Sequence, residues 1–214
     1  MWRADLATVG EDLAGSLSGE ERERAARFVG EADRRLWSRS RGVLRGLLGR
    51  YLRKDASAVD LAAGRHGKLE LAGGEQPGLY FNLSHSRELA LYAFAAAGPV
   101  GIDVQVARRE SARGGADRVA LARRAFGDVE ARRLDGLPPA AREHEFLRLW
   151  TRYEAEAKCR GTGIRAIVGE ADREPVPEAP SAAPWIVELD VGARAAVAVA
   201  SEHEANELRL WEWA

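Results

Sequence analysis

Cysteine and lysine are the scarce residues of this 214-residue chain. Cys159 stands alone, which excludes an internal disulfide framework and points to a reducing compartment. Only Lys54, Lys68 and Lys158 are lysines among 32 basic side chains. Arginine supplies the rest, a skew that fits GC-rich coding and singles out each lysine that is kept. No apolar run approaches the roughly 20 residues of a membrane-spanning helix. The opening residues carry an acid early and no small-residue cleavage site, so no secretory signal is expected and the chain reads as cytoplasmic. Net charge is missing too: 33 acidic residues nearly balance the basic ones, for a formal charge of -1. That excludes a global field for nucleic acid or an anionic membrane, so any anion site must be local.

What is present is 46% hydrophobic, enough for one substantial core or two small ones. Residues 18–53 read as helical, with Ser18 as N-cap before a glutamate-rich first turn and two helices joined near Gly30 or Asp33. Residues 62–79 are rich in turns, with a short strand at Leu69 to Leu71. Leu79 to Leu83, Leu89 to Ala97 and Val100 to Val106 read as neighbouring strands, with Ser-His-Ser-Arg as a turn between the first two. Arg108 to Arg118 suits a linker. Helices are expected over Val119 to Phe126, Asp128 to Leu134 and Pro138 to Cys159. A proline-rich loop from Pro175 to Pro184 precedes paired strands at Trp185 to Leu189 and Ala195 to Ser201. The tail, Glu207 to Trp213, reads as an edge strand. Each half thus runs helices and then strands, an α+β class.

Three short stretches carry chemistry. In a helix, Trp150, Glu154 and Lys158 share one face, with Arg148 and Arg152 on a neighbouring one. Taken alone this is an ordinary Glu-to-Lys surface pair. In a strand, Asp103 and Gln105 point to one side and Ile102 and Val104 to the other, so an acid sits on an otherwise apolar strand. Its bland reading is a cap for the next turn. Together, Asp103 and Glu154 suffice for magnesium, which is held by one or two carboxylates with phosphates and water completing the shell, and Gln105 could add a carbonyl oxygen. The third stretch, Phe-Asn-Leu-Ser-His-Ser from Phe81 to Ser86, offers hydroxyls and an imidazole to phosphate oxygens, or forms a plain polar turn. Upstream, Arg65, His66 and Lys68 make a glycine-spaced basic loop that suits phosphate contact or solubility.

In this order and spacing, Gly-Lys, Phe-Asn-Leu-Ser-His-Ser, Val-Gly-Ile-Asp-Val and Trp-Thr-x-x-Glu-Ala-x-x-Lys resemble the 4'-phosphopantetheinyl transferases of the larger, monomeric, surfactin-synthetase-activating type. The resemblance spans roughly residues 20–213. It implies two similar α+β subdomains related by a pseudo-twofold, residues 1–106 and 107–214, with the tail strand able to pack on the first half and coenzyme A in the cleft between them. It also implies transfer of phosphopantetheine from coenzyme A to a serine of an apo acyl or peptidyl carrier protein, leaving adenosine 3',5'-bisphosphate.

By the same resemblance, Asp103 and Glu154 match the magnesium ligands, and Lys158 the lysine beside the pyrophosphate. Ser84 and His85 match the phosphate-contacting turn, Lys68 with Arg65 the coenzyme-binding loop, and Arg41 or Arg45 the basic position meeting the ribose 3'-phosphate. The implied partner is a small acidic helical carrier of fatty-acid, polyketide or peptide synthesis; residues 119–137, where arginines interleave with Leu121, Phe126 and Leu134, offer a candidate contact surface or form an ordinary amphipathic helix with a solvated arginine face. No nucleic acid or membrane partner is expected, and a monomer is the default. The chain departs from the family pattern at Tyr153, where lysine is usual, at Gln105, where glutamate is frequent, and in reading Gly-Lys-Leu for Gly-Lys-Pro. Those departures leave a catalytically impaired coenzyme- or carrier-binding module as the alternative, and a two-carboxylate phosphohydrolase as a third reading.

Overall fold

The computed structural model describes residues 1–74, 78–107, 114–163, 182–192 and 195–213. Along the chain run β1 (Trp2–Asp5), α1 (Gly19–Ala26), α2 (Glu31–Leu52), β2 (Leu61–Ala63), β3 (Leu69–Leu71), β4 (Tyr80–Ser86), β5 (Leu89–Ala95) and β6 (Val100–Val106). There follow α3 (Gly114–Phe126), α4 (Asp128–Asp135), α5 (Pro139–Arg160), β7 (Trp185–Glu188), β8 (Ala195–Ser201) and β9 (Trp211–Glu212). The class is α+β. No helix among the described residues is long and apolar enough to cross a membrane.

Local chemistry sets the helix ends. Ser18 and Glu21 form a reciprocal capping box, each side chain accepting from the other's backbone N–H, at 3.2 and 2.9 Å. Helix α2 stops where Arg53 turns left-handed, and α5 begins on Pro139 and ends at Gly161, whose φ of 67° suits a residue without a Cβ.

The strands form a four-stranded sheet in the order β4-β5-β1-β9, a three-stranded sheet β6-β8-β7 and the hairpin β2-β3. The first and second of the three apolar segments pair as expected, from Tyr80↔Ala95 to Ser86↔Leu89. The third does not join them by backbone: β6 pairs antiparallel with β8, from Val100↔Ser201 to Val106↔Ala195. Ser-His-Ser is likewise not a turn, because the ladder continues through Ser86 and the chain reverses at Arg87 and Glu88, with Arg87 at φ 56°. Strand β1 carries no alternating pattern to announce it. It is a strand because it lies between β5 and β9, pairing antiparallel with the one and parallel with the other. Helix α3 begins at Gly114, inside the segment expected to be a linker; residues 108–113 of that segment, and the expected loop's Pro175, Pro177 and Pro180, lie outside the described residues.

The core has distinct layers. Val43, Leu44, Leu47 and Leu48 of α2 pack on Ala4, Phe81, Ala90 and Tyr92. The opposite face of β5, through Leu89, Leu91 and Ala93, meets Val100, Ile102 and Val104 of β6 with Val197 and Val199 of β8. On the far side of β6 and β8 lies α5. Ala122, Ala131 and Leu134 pack with Phe146 and Leu147 of α5, and Leu121 and Phe126 lean on the same cluster. Of the apolar residues in 119–137, Leu121, Ala122, Phe126, Ala131 and Leu134 thus serve the interior, while Val129 is exposed.

Candidate active site

The site exists because α5 comes unusually close to β6. A Cβ on Gly101 would stand 2.0 Å from the Ala155 carbonyl oxygen and 2.4 Å from the Cys159 nitrogen, so only glycine fits. Beside it, Ala155 and Cys159 rest on Ala198 and Ala200 of β8. Strand alternation puts Asp103 on the same face as Gly101, one step along β6. Helical spacing puts Glu154 and Lys158 on the face of α5 that meets it.

Asp103 is 1% exposed and Glu154 8%, a depth at which carboxylates require partners. The Lys158 ammonium lies between them, 2.5 Å from Asp103 Oδ1 and 3.5 Å from Glu154 Oε2. It also donates to the Ile102 carbonyl at 3.1 Å and to Ser84 Oγ at 3.3 Å. Burial, and next the neighbouring Asp103 charge, push the Glu154 carboxyl up to about 7, while Lys158 and a hydrogen bond from the Trp150 indole pull the other way. Two acids and one base thus share a pocket at a strand–helix junction.

Ser84 completes the cluster. Its hydroxyl donates to Asp103 Oδ1 at 2.7 Å and accepts from the Val104 N–H at 3.3 Å. It belongs to a seam: Asn82 Oδ1 accepts from the Ile102 N–H at 2.9 Å and Ser86 Oγ from the Val106 N–H at 3.0 Å. Every second side chain of β4 therefore satisfies an edge amide of β6, which is how the two sheets stay in register without a backbone ladder. His85 points to the other face of β4, is exposed, and has its imidazole pKa lowered by partial burial first and then by the positive charges of Lys158 and Arg41. Ser84 and His85 thus lie on opposite faces of β4.

The remaining basic candidates separate cleanly. Arg45 is spent on the fold: Nε bonds Glu21 at 2.5 Å and Nη1 the carbonyls of Ala56 and Val59 at 3.0 and 2.8 Å. Arg41, one turn earlier, is 8% exposed and lies over the Trp37 ring at 5.2 Å. Its Nε is 3.4 Å from Glu21, and Nε and Nη1 are both buried with no hydrogen-bond partner among the described residues. Lys68 is committed to backbone, donating to the carbonyls of Lys158 at 2.8 Å and Val100 at 3.3 Å. Arg65 stands in the turn joining β2 to β3. Gln105 Nε2 donates to Asp103 Oδ2 at 3.2 Å, which places the amide beside the carboxylates. Tyr153 meets Phe126 edge-on, with centroids 5.5 Å apart, and Arg152 pairs with Glu188 at 2.8 Å, so neither points a charge at the acids.

The donor set suits a hard divalent ion. Both carboxylates are oxygen donors, and the ammonium held between them marks a place where positive charge is stable. Among the described residues no group of three or more His, Cys, Asp or Glu side chains is placed to hold a metal, so phosphate oxygens and water would have to complete the shell. Sequence reasoning missed the Ser84–Asp103 bond and the seam. The alternation of polar residues at 82, 84 and 86 opposite an apolar strand is the signal that could have found them.

Residues 99–209, which carry both the acid-bearing strand and the acid- and lysine-bearing helix, match the sequence model of the 4'-phosphopantetheinyl transferase superfamily. The chain belongs to that superfamily. It is 39% identical over 155 residues to the 4'-phosphopantetheinyl transferase HetI of Nostoc sp., covering 72% of this chain and 63% of that protein. It is 33% identical over 110 residues to the 4'-phosphopantetheinyl transferase AcpT of Salmonella typhi, covering 51% of this chain and 53% of that protein. The matched regions thus span less than two thirds of these relatives' length.

Proposed function

We propose that the chain is an enzyme that transfers 4'-phosphopantetheine from coenzyme A to a serine hydroxyl of an apo acyl or peptidyl carrier protein, with magnesium, as a cytoplasmic monomer of the surfactin-synthetase-activating type. The observation that carries this reading is the convergence of Asp103, Glu154 and Lys158 across the β6–α5 contact; membership of the superfamily supports it. The carriers served are those of fatty-acid, polyketide or peptide synthesis. Coenzyme A lies in the cleft between two subdomains, residues 1–106 and 107–214, with β6 crossing into the sheet of the second and β9 returning to that of the first.

Asp103 and Glu154 hold the ion, with the Gln105 amide beside them. Bound there, magnesium neutralises charge on the pyrophosphate and aligns it. The serine oxygen forms a bond to the β-phosphorus as the bond to the adenosine 3',5'-bisphosphate oxygen breaks. Glu154 takes the serine proton. Lys158 faces the departing bisphosphate. Arg41 meets the ribose 3'-phosphate, with His85 nearby. Ser84 orients Asp103, and the Arg65–Lys68 loop flanks the coenzyme while Lys68 ties β6 to α5.

The test is the mass of an apo carrier protein after incubation with coenzyme A, magnesium and this protein. A gain of one phosphopantetheine group is the expected result. Coenzyme A binding without a gain would replace the reading with that of a binding module, a role to which Tyr153 and Gln105 lean, and phosphate release without a carrier would replace it with a phosphohydrolase.

A further inference from the structure

The Lys158 ammonium is surrounded like an ion and not like half of a surface pair. Four oxygens lie around it: Asp103 Oδ1 at 2.5 Å, Ile102 O at 3.1 Å, Ser84 Oγ at 3.3 Å and Glu154 Oε2 at 3.5 Å. Three of these come from side chains or backbone of the strand layer and one from its own helix. Lysine is suited to such a place, being a compact point charge on a flexible four-carbon stem.

We propose that Lys158 is a resident cation: in the resting protein its ammonium occupies the position between Asp103 and Glu154 that a divalent ion takes, and it moves out when that ion binds. This deepens the proposed function and rests on the reading of the two carboxylates as a divalent-cation site. The surroundings are built for a side-chain exchange and no larger motion. The Lys158 backbone is pinned, because Lys68 Nζ donates to its carbonyl at 2.8 Å and the Gly101 contact leaves α5 no room to shift. Asp103 keeps two donors when the ammonium departs, since Ser84 Oγ and Gln105 Nε2 remain on Oδ1 and Oδ2. Lys158 is 24% exposed, so its stem has a path to the surface.

Charge dictates the consequence. Two carboxylates balance a divalent ion, and a lysine left beside it is an excess positive charge repelled at short range. The displaced ammonium therefore requires an anion, and the coenzyme's pyrophosphate supplies one. Metal alone binds weakly because it must evict the lysine unaided. Metal and coenzyme together bind cooperatively, a coupling between two ligands through one side chain.

Titration with Mn2+ in the absence of coenzyme A measures the eviction directly, on the wild-type protein and on Lys158→Met. The variant is expected to bind Mn2+ at least tenfold more tightly and to lose most of the enhancement that coenzyme A gives the wild type. A second measurement uses the unmutated protein: with three lysines in the chain, 15N-lysine labelling resolves the ammonium signals. The protected signal of Lys158 is expected to reach the exchange rate of a solvated lysine when Mg2+ is added. Equal Mn2+ affinities, or a Lys158 ammonium that stays protected with Mg2+ bound, overturn the inference alone. No Mn2+ uptake by either protein, with or without coenzyme A, overturns the cation-site reading and the inference with it.

Discussion

Two helices of 22 residues each, α2 and α5, cover sheets in this protein, and they do it by opposite means. Helix α2 stands off its sheet on Val43, Leu44, Leu47 and Leu48, a layer of bulky apolar side chains. Helix α5 has Ala155 and Cys159 at the contact and meets Gly101, Ala198 and Ala200. The bulky contact is an energy store, and its polar residues Arg41 and Arg45 look sideways to Glu21. The thin contact lets short acidic side chains from strand and helix reach one ammonium. Close packing here is a means of placing charge, and stability is supplied elsewhere.

Breaking the thin side chemically has the largest expected effect. Asp103→Ala and Glu154→Ala each remove several kcal/mol of charge stabilisation, so carrier modification falls on the order of 1,000-fold, while circular dichroism stays native. Breaking it sterically separates the two contacts. Gly101→Ala forces backbone apart and costs about 3 kcal/mol or more, measured by denaturant midpoint, with transfer lost even in the folded fraction. Leu44→Ala under α2 costs about 2–5 kcal/mol through its cavity but leaves transfer per folded molecule unchanged.

The charge placement also has a pH signature. With its pKa raised from 4.5 to about 7, folded Glu154 holds a proton that the unfolded chain has already released within that window. Stability of the metal-free protein therefore falls as pH rises from 4.5 to 7, by up to about 3 kcal/mol, and Glu154→Gln flattens the slope in a series of urea melts.

Ser84 sharpens the comparison within one strand. Ser84→Ala and Ser86→Ala each strip an edge amide of its acceptor and cost about 1–2 kcal/mol in thermal melts, but only Ser84→Ala also lowers kcat/KM, because only Ser84 touches Asp103. The smallest effect is at the departure from the family pattern: Tyr153→Lys loses the edge-on contact with Phe126 and about 1 kcal/mol.

Periodicity alone placed much of this. A strand period of two set Asp103 and Gln105 on one face, a helical spacing of four aligned Glu154 with Lys158, and Ser18 with its glutamates marked the start of α1. What stayed hidden depends on distant partners. Strand β1 exists only through β5 and β9. The Ser-His-Ser stretch looks like a turn until the β6 amides that its serines satisfy are in place. The sequence offers Arg41 and Arg45 as equals, and only the carbonyls of Ala56 and Val59, which accept from Arg45, distinguish them.

The most direct measurement is a time course of apo carrier mass with coenzyme A and magnesium, run with the wild-type protein beside an equally folded Glu154→Ala. The wild type should add one phosphopantetheine group and the variant none. Conversion by the variant at the wild-type rate would contradict the claim that the thin contact between α5 and β6 builds the reacting centre.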